Sequence, residues 1–273
     1  MHGKELRMRR LFGKGKAVIV PMDHPVYFGP LPGIEDPRAL VSDVASTNAD
    51  GVLLTIATMN RTFDVMGSLG TIARLDGTHT KLGSHMIEID CISSVEMAVA
   101  QGADACVLNI YVGADNERDL LRKLGNTAEA CERWGMPLVG EMIPMAALLG
   151  HYGPTEKTLS EDDLAEQIAL AARVGAEVGA DVIKCNYSGS PKTFKQVVDN
   201  ATVPIIVAGG PGGDTAEGLF QLVDGCMEAG AAGICFGRNV WKRKNRVQVI
   251  QGICAIVHDG KTPAEAAKLL GAV

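Results

Sequence analysis

Aromatic residues make up only 4% of this 273-residue chain, and no apolar stretch reaches the roughly 20 residues that span a bilayer. A membrane-spanning helix is therefore excluded, and a β-sandwich is disfavoured. The seven cysteines, at 91, 106, 131, 185, 226, 235 and 254, contain no Cys-x-x-Cys pair. Several sit in apolar runs and read as small core residues in a reducing compartment. No His-x-x-x-His or His-x-x-Asp-His spacing occurs. His24, His79, His85 and His151, with Asp76 or Glu141, thus make no recognisable zinc set, and no metal is assigned. A nucleophile-elbow motif for Ser–His–Asp chemistry is missing as well. Excess positive charge is absent: the formal charge of −6 argues against nucleic acid or an anionic membrane as partner. The N-terminus is basic (Lys4, Arg7, Arg9, Arg10, Lys14, Lys16) but lacks the apolar core of a signal peptide and runs directly into a strand-like segment. A cytoplasmic protein is expected, with a transit peptide as the lesser alternative.

What the chain has is alternation. Short apolar runs at Ala17–Pro21, Gly51–Thr55, Ile72–Leu75, Ala105–Ile110, Pro137–Glu141, Asp181–Lys184, Pro204–Val207 and Gly233–Phe236 read as strands. Between them lie helical patterns near 37–47, 92–101, 115–134, 160–178, 190–199, 214–229 and 244–257, with a short one near 262–270. The second crossover, 56–70, carries only a weak helical pattern. Ser160 is a good N-cap followed by three acids, and Gly102, Gly135, Gly179 and Gly230 are placed as left-handed helix caps. Gly102-Ala103-Asp104-Ala105, Gly179-Ala180-Asp181-Val182 and Gly230-Ala231-Ala232-Gly233 repeat one helix-to-strand turn, and Asn48-Ala49-Asp50-Gly51 is a fourth copy. Eight such units predict one α/β domain over residues 1–273, a (β/α)8 TIM barrel. The runner-up, an open doubly wound sheet, would put a phosphate loop after the first strand, where Met22-Asp23-His24-Pro25 stands instead.

Barrel active sites form at the C-terminal strand ends. Lys184 ends the sixth strand. A lysine there is costly unless paired or working, and Schiff-base chemistry uses a desolvated amine. As nucleophile it is expected to have a depressed pKa; the plainer reading is a salt-bridged lysine. Asp23, ending the first strand, is expected either to transfer protons or to hold Lys184 as its ion-pair partner. Gly209 and Gly210 after the seventh strand, with Gly237 and Arg238 after the eighth, predict a phosphate site; two tight turns are the plainer account. His24 and the Asp76-Gly77-Thr78-His79 loop are further substrate-contact candidates, against readings as a core histidine and a simple turn.

Met22-Asp23-His24, Ile183-Lys184-Cys185-Asn186-Tyr187-Ser188-Gly189, Val207-Ala208-Gly209-Gly210 and Gly237-Arg238-Asn239-Val240 resemble the signature segments of the DeoC/FbaB aldolase superfamily. That group holds the archaeal-type class I fructose-bisphosphate aldolases, the heptulosonate synthases and the quorum-signal phosphate thiolase. The resemblance runs over nearly the whole chain. It implies a Schiff base between Lys184 and a ketose carbonyl, Asp23 beside it, and substrate phosphate on Gly209, Gly210, Gly237 and Arg238. It also implies no metal or organic cofactor and a homo-oligomer built on rings, such as a decamer. One segment departs. Where the aldolases carry Tyr-Pro-Arg-Gly, this chain has Ile143-Pro144-Met145-Ala146, so Ile143 replaces the proton-transferring tyrosine and Met145 the arginine. Glu141, His151 and Tyr152 are the substitutes nearby in sequence.

The expected protein is thus a metal-independent class I aldolase acting on a phosphorylated ketose, most like fructose-bisphosphate aldolase. The alternatives are a heptulosonate-type synthase or thiolase, a phosphosugar isomerase using Asp23 as base and Lys184 electrostatically, and a non-enzymatic phosphosugar-binding protein.

Overall fold

Eight parallel strands pair in chain order, and β8 closes on β1. The structure is a computed structural model and describes residues 2–83, 87–152, 159–210 and 215–271, without the side chains of 149–152. His85 and the Pro211–Gly213 part of the glycine loop lie outside the described residues, as do the side chains of His151 and Tyr152.

The order is α1 (His2–Phe12), β1 (Ala17–Pro21), α2 (Pro25–Phe28), α3 (Pro37–Ala45), β2 (Gly51–Thr55), α4 (Ile56–Thr62), β3 (Gly70–Arg74), α5 (Val95–Ala100) and β4 (Ala105–Val112). It continues with α6 (Glu117–Trp134), β5 (Leu138–Pro144), α7 (Met145–Tyr152), α8 (Glu161–Val178), β6 (Val182–Asn186), α9 (Pro191–Ala201) and β7 (Ile205–Ala208). Last come α10 (Ala216–Glu228), β8 (Gly233–Cys235), α11 (Arg238–Trp241), α12 (Arg246–Asp259) and α13 (Pro263–Ala267). The barrel replaces the open-sheet alternative. The helices start where side-chain caps exist: Ser160 Oγ accepts from Asp163 N at 3.1 Å, and Thr262 with Glu265 forms a capping box. Gly135 and Gly179 end α6 and α8 in the left-handed region, at φ 58° and 117°.

Two apolar bodies hold the fold. One lies between the strands and the helix ring; the other fills the barrel, with Ala17, Ile19, Leu53, Ile72, Val107, Val139, Val182 and Ile206 meeting inside it. Leu11, 1% exposed, joins this inner body together with Met8 and Phe12. The basic N-terminus thus does not run directly into β1. It is helix α1, and it plugs the N-terminal mouth of the barrel.

The repeated Ala-Asp turns explain how the plug is held. Asp50, Asp104 and Asp181 each turn one carboxylate oxygen to the start of the preceding strand, accepting from Val18 N (2.7 Å), Thr71 N (3.0 Å) and Leu138 N (2.8 Å). The other oxygen meets Lys14 (3.2 Å), Arg10 (2.9 Å) and Lys4 (2.9 Å) respectively. One sequence phrase thus closes three strand ends and pins the basic segment. In the copy at Gly230–Gly233 Ala232 replaces the aspartate, so no such tie forms there. With this mouth closed, function is left to the opposite end.

Candidate active site

Strand side chains alternate between faces with a period of two. Ile72, Val107, Val139 and Val182 point into the barrel, so the next inward positions toward the C-terminal mouth are Arg74, Asn109, Glu141 and Lys184. The apolar interior gives way there to a charged layer. Asn109 pairs in register with Glu141, and Glu141 with Lys184.

Arg74 is the hub. It is 1% exposed, and its guanidinium reaches Asp23 Oδ2 through Nε (2.8 Å) and Nη2 (2.7 Å), and Asp76 Oδ1 (3.1 Å) and Asn109 Oδ1 (2.9 Å) through Nη1. It also pairs with Glu141 Oε2. A planar fork suits this multiple engagement. Reading strand ends did not single out Arg74, because the apolar run was expected to continue to Leu75, whereas β3 ends at Arg74 itself. The inward alternation of β3 is the signal that finds it. Lys123 of α6 was missed too: it reaches through the wall to Asp76 Oδ2 at 2.9 Å.

Lys184 is 3% exposed, and its Nζ lies 2.7 Å from Glu141 Oε1. Burial is the largest influence and favours the neutral amine, but Glu141, with Cys235 and Asp23 adding to it, leaves the lysine raised above its ordinary value. The expectation of a depressed pKa is thus corrected: at rest Lys184 is an ammonium in a buried ion pair. Glu141 shows the reverse balance. Burial opposes its ionisation, while Lys184 and Arg74 bring it below the ordinary carboxylate value.

The partner of Lys184 is Glu141 rather than Asp23, which pairs with Arg74. Burial pushes the Asp23 carboxyl up, yet Arg74 and then His24 and Lys184 hold it well below the carboxylate range. Its Oδ1 is buried without a hydrogen-bond partner, 3.6 Å from His24 Nδ1. His24 starts α2, stacks on Phe28 at 5.9 Å and faces the cavity. Asp76, expected at the substrate, is fully buried. Its oxygens are occupied by Arg74, Lys123 and Asn109 N (2.7 Å), so it supports the charged layer from behind. His79 stacks on Tyr27 at 4.8 Å, giving that loop a packing role.

A cavity of about 610 Å³, part of it open to solvent, sits over this layer. Lys184 and Glu141 lie on one side, Gly209, Gly237 and Arg238 on another, and Ile143, Ala147 and Leu148 form an apolar wall. The two glycines are also sterically required. A Cβ at Gly209 would lie 2.6 Å from Asn239 Oδ1, and one at Gly237 would lie 2.9 Å from Trp241 Nε1 and 3.0 Å from Pro21 O. Asn239 Nδ2 donates to Gly210 O (3.4 Å), joining the loops after β7 and β8. Among the described residues, no three His, Cys, Asp or Glu side chains cluster as metal ligands would.

A deep lysine in carboxylate contact thus shares a cavity with a glycine–arginine corner at the C-terminal mouth of a (β/α)8 barrel. The chain belongs to the DeoC/LacD family of aldolases, whose profile matches residues 17–243. It is 35% identical over 272 residues to 2-amino-3,7-dideoxy-D-threo-hept-6-ulosonate synthase of Halobacterium salinarum, covering 99% of this chain and 97% of that one. It is 33% identical to fructose-bisphosphate aldolase class 1 of Thermoproteus tenax, covering 94% and 95%. Among solved structures, it superposes with a TM-score of 0.82 at 31% identity on an archaeal fructose-1,6-bisphosphate aldolase whose catalytic Lys is covalently bound to the substrate's carbinolamine intermediate. That match covers 94% of this chain and 99% of the other.

Proposed function

We propose that this protein is a class I aldolase that makes or breaks a carbon–carbon bond in a phosphorylated ketose, with Lys184 as the Schiff-base nucleophile. The observation that carries this reading is the placement of Lys184. Its Nζ lies buried beside a carboxylate in the lining of a cavity that Gly209, Gly237 and Arg238 also line. An imine on Lys184, once protonated, is an electron sink. The carbanion released by bond cleavage becomes a neutral enamine, so neither a metal nor an organic cofactor is required. Gly209, Gly210, Gly237 and Arg238 hold the phosphate, remote from the reacting bond, and fix the carbonyl over Lys184. Asp23 keeps Arg74 in place from behind the cavity, through two contacts to its Oδ2.

Fructose 1,6-bisphosphate is the first substrate to assay. A heptulosonate-type synthase or an acyl-transferring thiolase shares the chemistry up to the enamine, and profiling of aldehydes and acceptors separates them. Six of the seven cysteines are free and buried and Cys91 is free and exposed, in keeping with a cytoplasmic protein. No helix among the described residues is long and apolar enough to cross a membrane. A homo-oligomer, a decamer by family analogy, is the assembly to test by native mass spectrometry.

The test is borohydride reduction with dihydroxyacetone phosphate or fructose 1,6-bisphosphate, followed by peptide mass spectrometry. A reduced adduct on Lys184, abolished in Lys184→Arg, is expected, because guanidinium forms no imine under these conditions. Turnover by Lys184→Arg, or trapping on a different lysine, refutes the assignment. Turnover with no adduct for any phosphorylated ketone points to the isomerase.

A further inference from the structure

Schiff-base formation needs a group to carry protons at the amine, and the position of the family tyrosine holds Ile143. Among the described side chains lining the cavity, those with a titratable proton are His24, Glu141, Lys184, Cys185, Cys235 and Arg238. Burial drives the Cys185 thiol far up and the Cys235 thiol up to about 12, which removes both as acids or bases near neutrality. Arg238 is permanently charged. His24 faces Asp23, at 3.6 Å. Glu141 alone in this set contacts the lysine nitrogen, at 2.7 Å. Asp23 is a poor rival: it is 2% exposed, does not line the cavity, and is bound to Arg74.

We propose that Glu141 is the proton carrier of the Lys184 imine, a reading that rests on the aldolase assignment above. The Glu141 carboxylate takes one proton from the Lys184 ammonium, leaving a neutral amine and a carboxylic acid. The amine nitrogen then attacks the ketone carbon, and the carbonyl π pair goes to oxygen. Transfer of the second nitrogen proton to that oxygen gives a neutral carbinolamine. Glu141 next delivers its proton to the hydroxyl, which leaves as water while the nitrogen pair closes the C=N bond. The products are an iminium, a carboxylate and one water, so proton and charge counts match those of the starting ammonium, carboxylate and ketone.

Arg74 is the positioning residue for this cycle. It holds Glu141 Oε2, which leaves Oε1 directed at Lys184. Its charge also keeps the resting carboxylate ionised and ready to accept. The same two charges remain at the end, now as iminium and carboxylate. The pair therefore stabilises the intermediate that it builds.

The experiment is rapid-quench borohydride trapping with dihydroxyacetone phosphate across the neutral and alkaline range, on wild type, Glu141→Gln, Glu141→Asp and Glu141→Ala. Imine formation in Glu141→Gln is expected to slow by about 10²–10⁴-fold, the usual contribution of a positioned proton carrier. Its rate should also climb with pH, because without the carboxylate the buried lysine titrates at lower pH. Glu141→Asp should retain most of the lost rate, and added formate should partly rescue Glu141→Ala. A merely structural role predicts neither the rescue nor the new pH limb. Trapping by Glu141→Gln within about threefold of wild type overturns the proposal, as does the absence of formate rescue in a folded Glu141→Ala. If Glu141→Gln does not fold, Glu141→Asp decides: loss as complete as in Glu141→Ala refutes the proton role. Failure of the wild type to form any adduct would instead refute the aldolase reading itself.

Discussion

Removing the guanidinium of Arg74 tests the charged layer most directly. Arg74→Met leaves Asp23, Asp76 and Glu141 buried without their shared cation. Asp76 keeps Lys123, at 2.9 Å, and Glu141 keeps Lys184, at 2.7 Å. Among the described residues Asp23 keeps no ion pair with a lysine or arginine, only His24 at 3.6 Å and the more distant charge of Lys184. Leaving one buried charge uncompensated costs about 3–5 kcal/mol, a large share of the roughly 5–15 kcal/mol that holds a domain together. The sign of the pH dependence changes as well. In the wild type the Asp23 pKa is depressed by Arg74. Its contribution is therefore present above the ordinary value of 3.8 and is lost as pH falls through the folded value. In Arg74→Met burial dominates and raises that pKa, so stability should decline as pH rises above 3.8, the opposite slope. Urea unfolding of both proteins at mildly acidic and neutral pH reads the two slopes. Arg74→Lys keeps a charge but not the fork, and should fall between them. Adding Asp23→Asn to Arg74→Met should recover part of the loss. A cost below about 1 kcal/mol for Arg74→Met, or a stability that rises with pH as in wild type, refutes this account of the layer.

Two further substitutions separate the ends of the barrel. Leu11→Ala opens the plugged mouth and should cost about 2–5 kcal/mol in thermal or urea unfolding, while adduct formation on Lys184 by the folded fraction stays unchanged. Gly237→Ala forces a methyl against Trp241 Nε1 and Pro21 O, at 2.9 and 3.0 Å. It should cost about 1–3 kcal/mol and raise KM for phosphorylated substrates; an unchanged KM in a folded variant would remove that corner from the phosphate site.

The strands were legible because they are short apolar runs, several with a glycine or aspartate at or beside the start, and β1 and β2 match their expected bounds to the residue. β4 to β7 run past their expected ends, while β8 stops one residue short, at Cys235. β5 extends to Pro144 and β4 to Val112, because the two strands stay paired through Tyr111↔Ile143 and Val112↔Pro144. Helix α1 was not legible. Its sequence is mostly charged and carries few apolar residues, so no amphipathic period stands out, and Leu11 is its single fully buried residue. Its stability comes from contacts remote in sequence, with the aspartates of the repeated turns. Lys184 was visible because it ends an apolar run. Arg74 was hidden because it was counted as part of one. The pairing of Lys184 with Glu141 depends on strand register, which a single sequence does not state.

Register also explains how proton chemistry can move without moving the lysine. Residues 139, 141 and 143 face inward on β5, and two residues of strand advance by about 6.6 Å. Ile143 stands one step nearer the mouth than Glu141 and shares the apolar wall with Ala147 and Leu148. A proton group at 143 would serve the part of the substrate beyond the bond to the enamine carbon. One at 141 serves the imine, because Glu141 lies beside Lys184 in the ladder. If Glu141 carries the imine protons as proposed, the acid–base function sits one inward step below position 143, where Ile143, Ala147 and Leu148 form an uncharged wall. Such a site favours partners whose distal end is apolar or uncharged over those that need a second anion held against that wall. Competition between fructose 1-phosphate and fructose 1,6-bisphosphate for trapping on Lys184 measures that preference. Selection of the bisphosphate would show that a cation outside this wall completes the site.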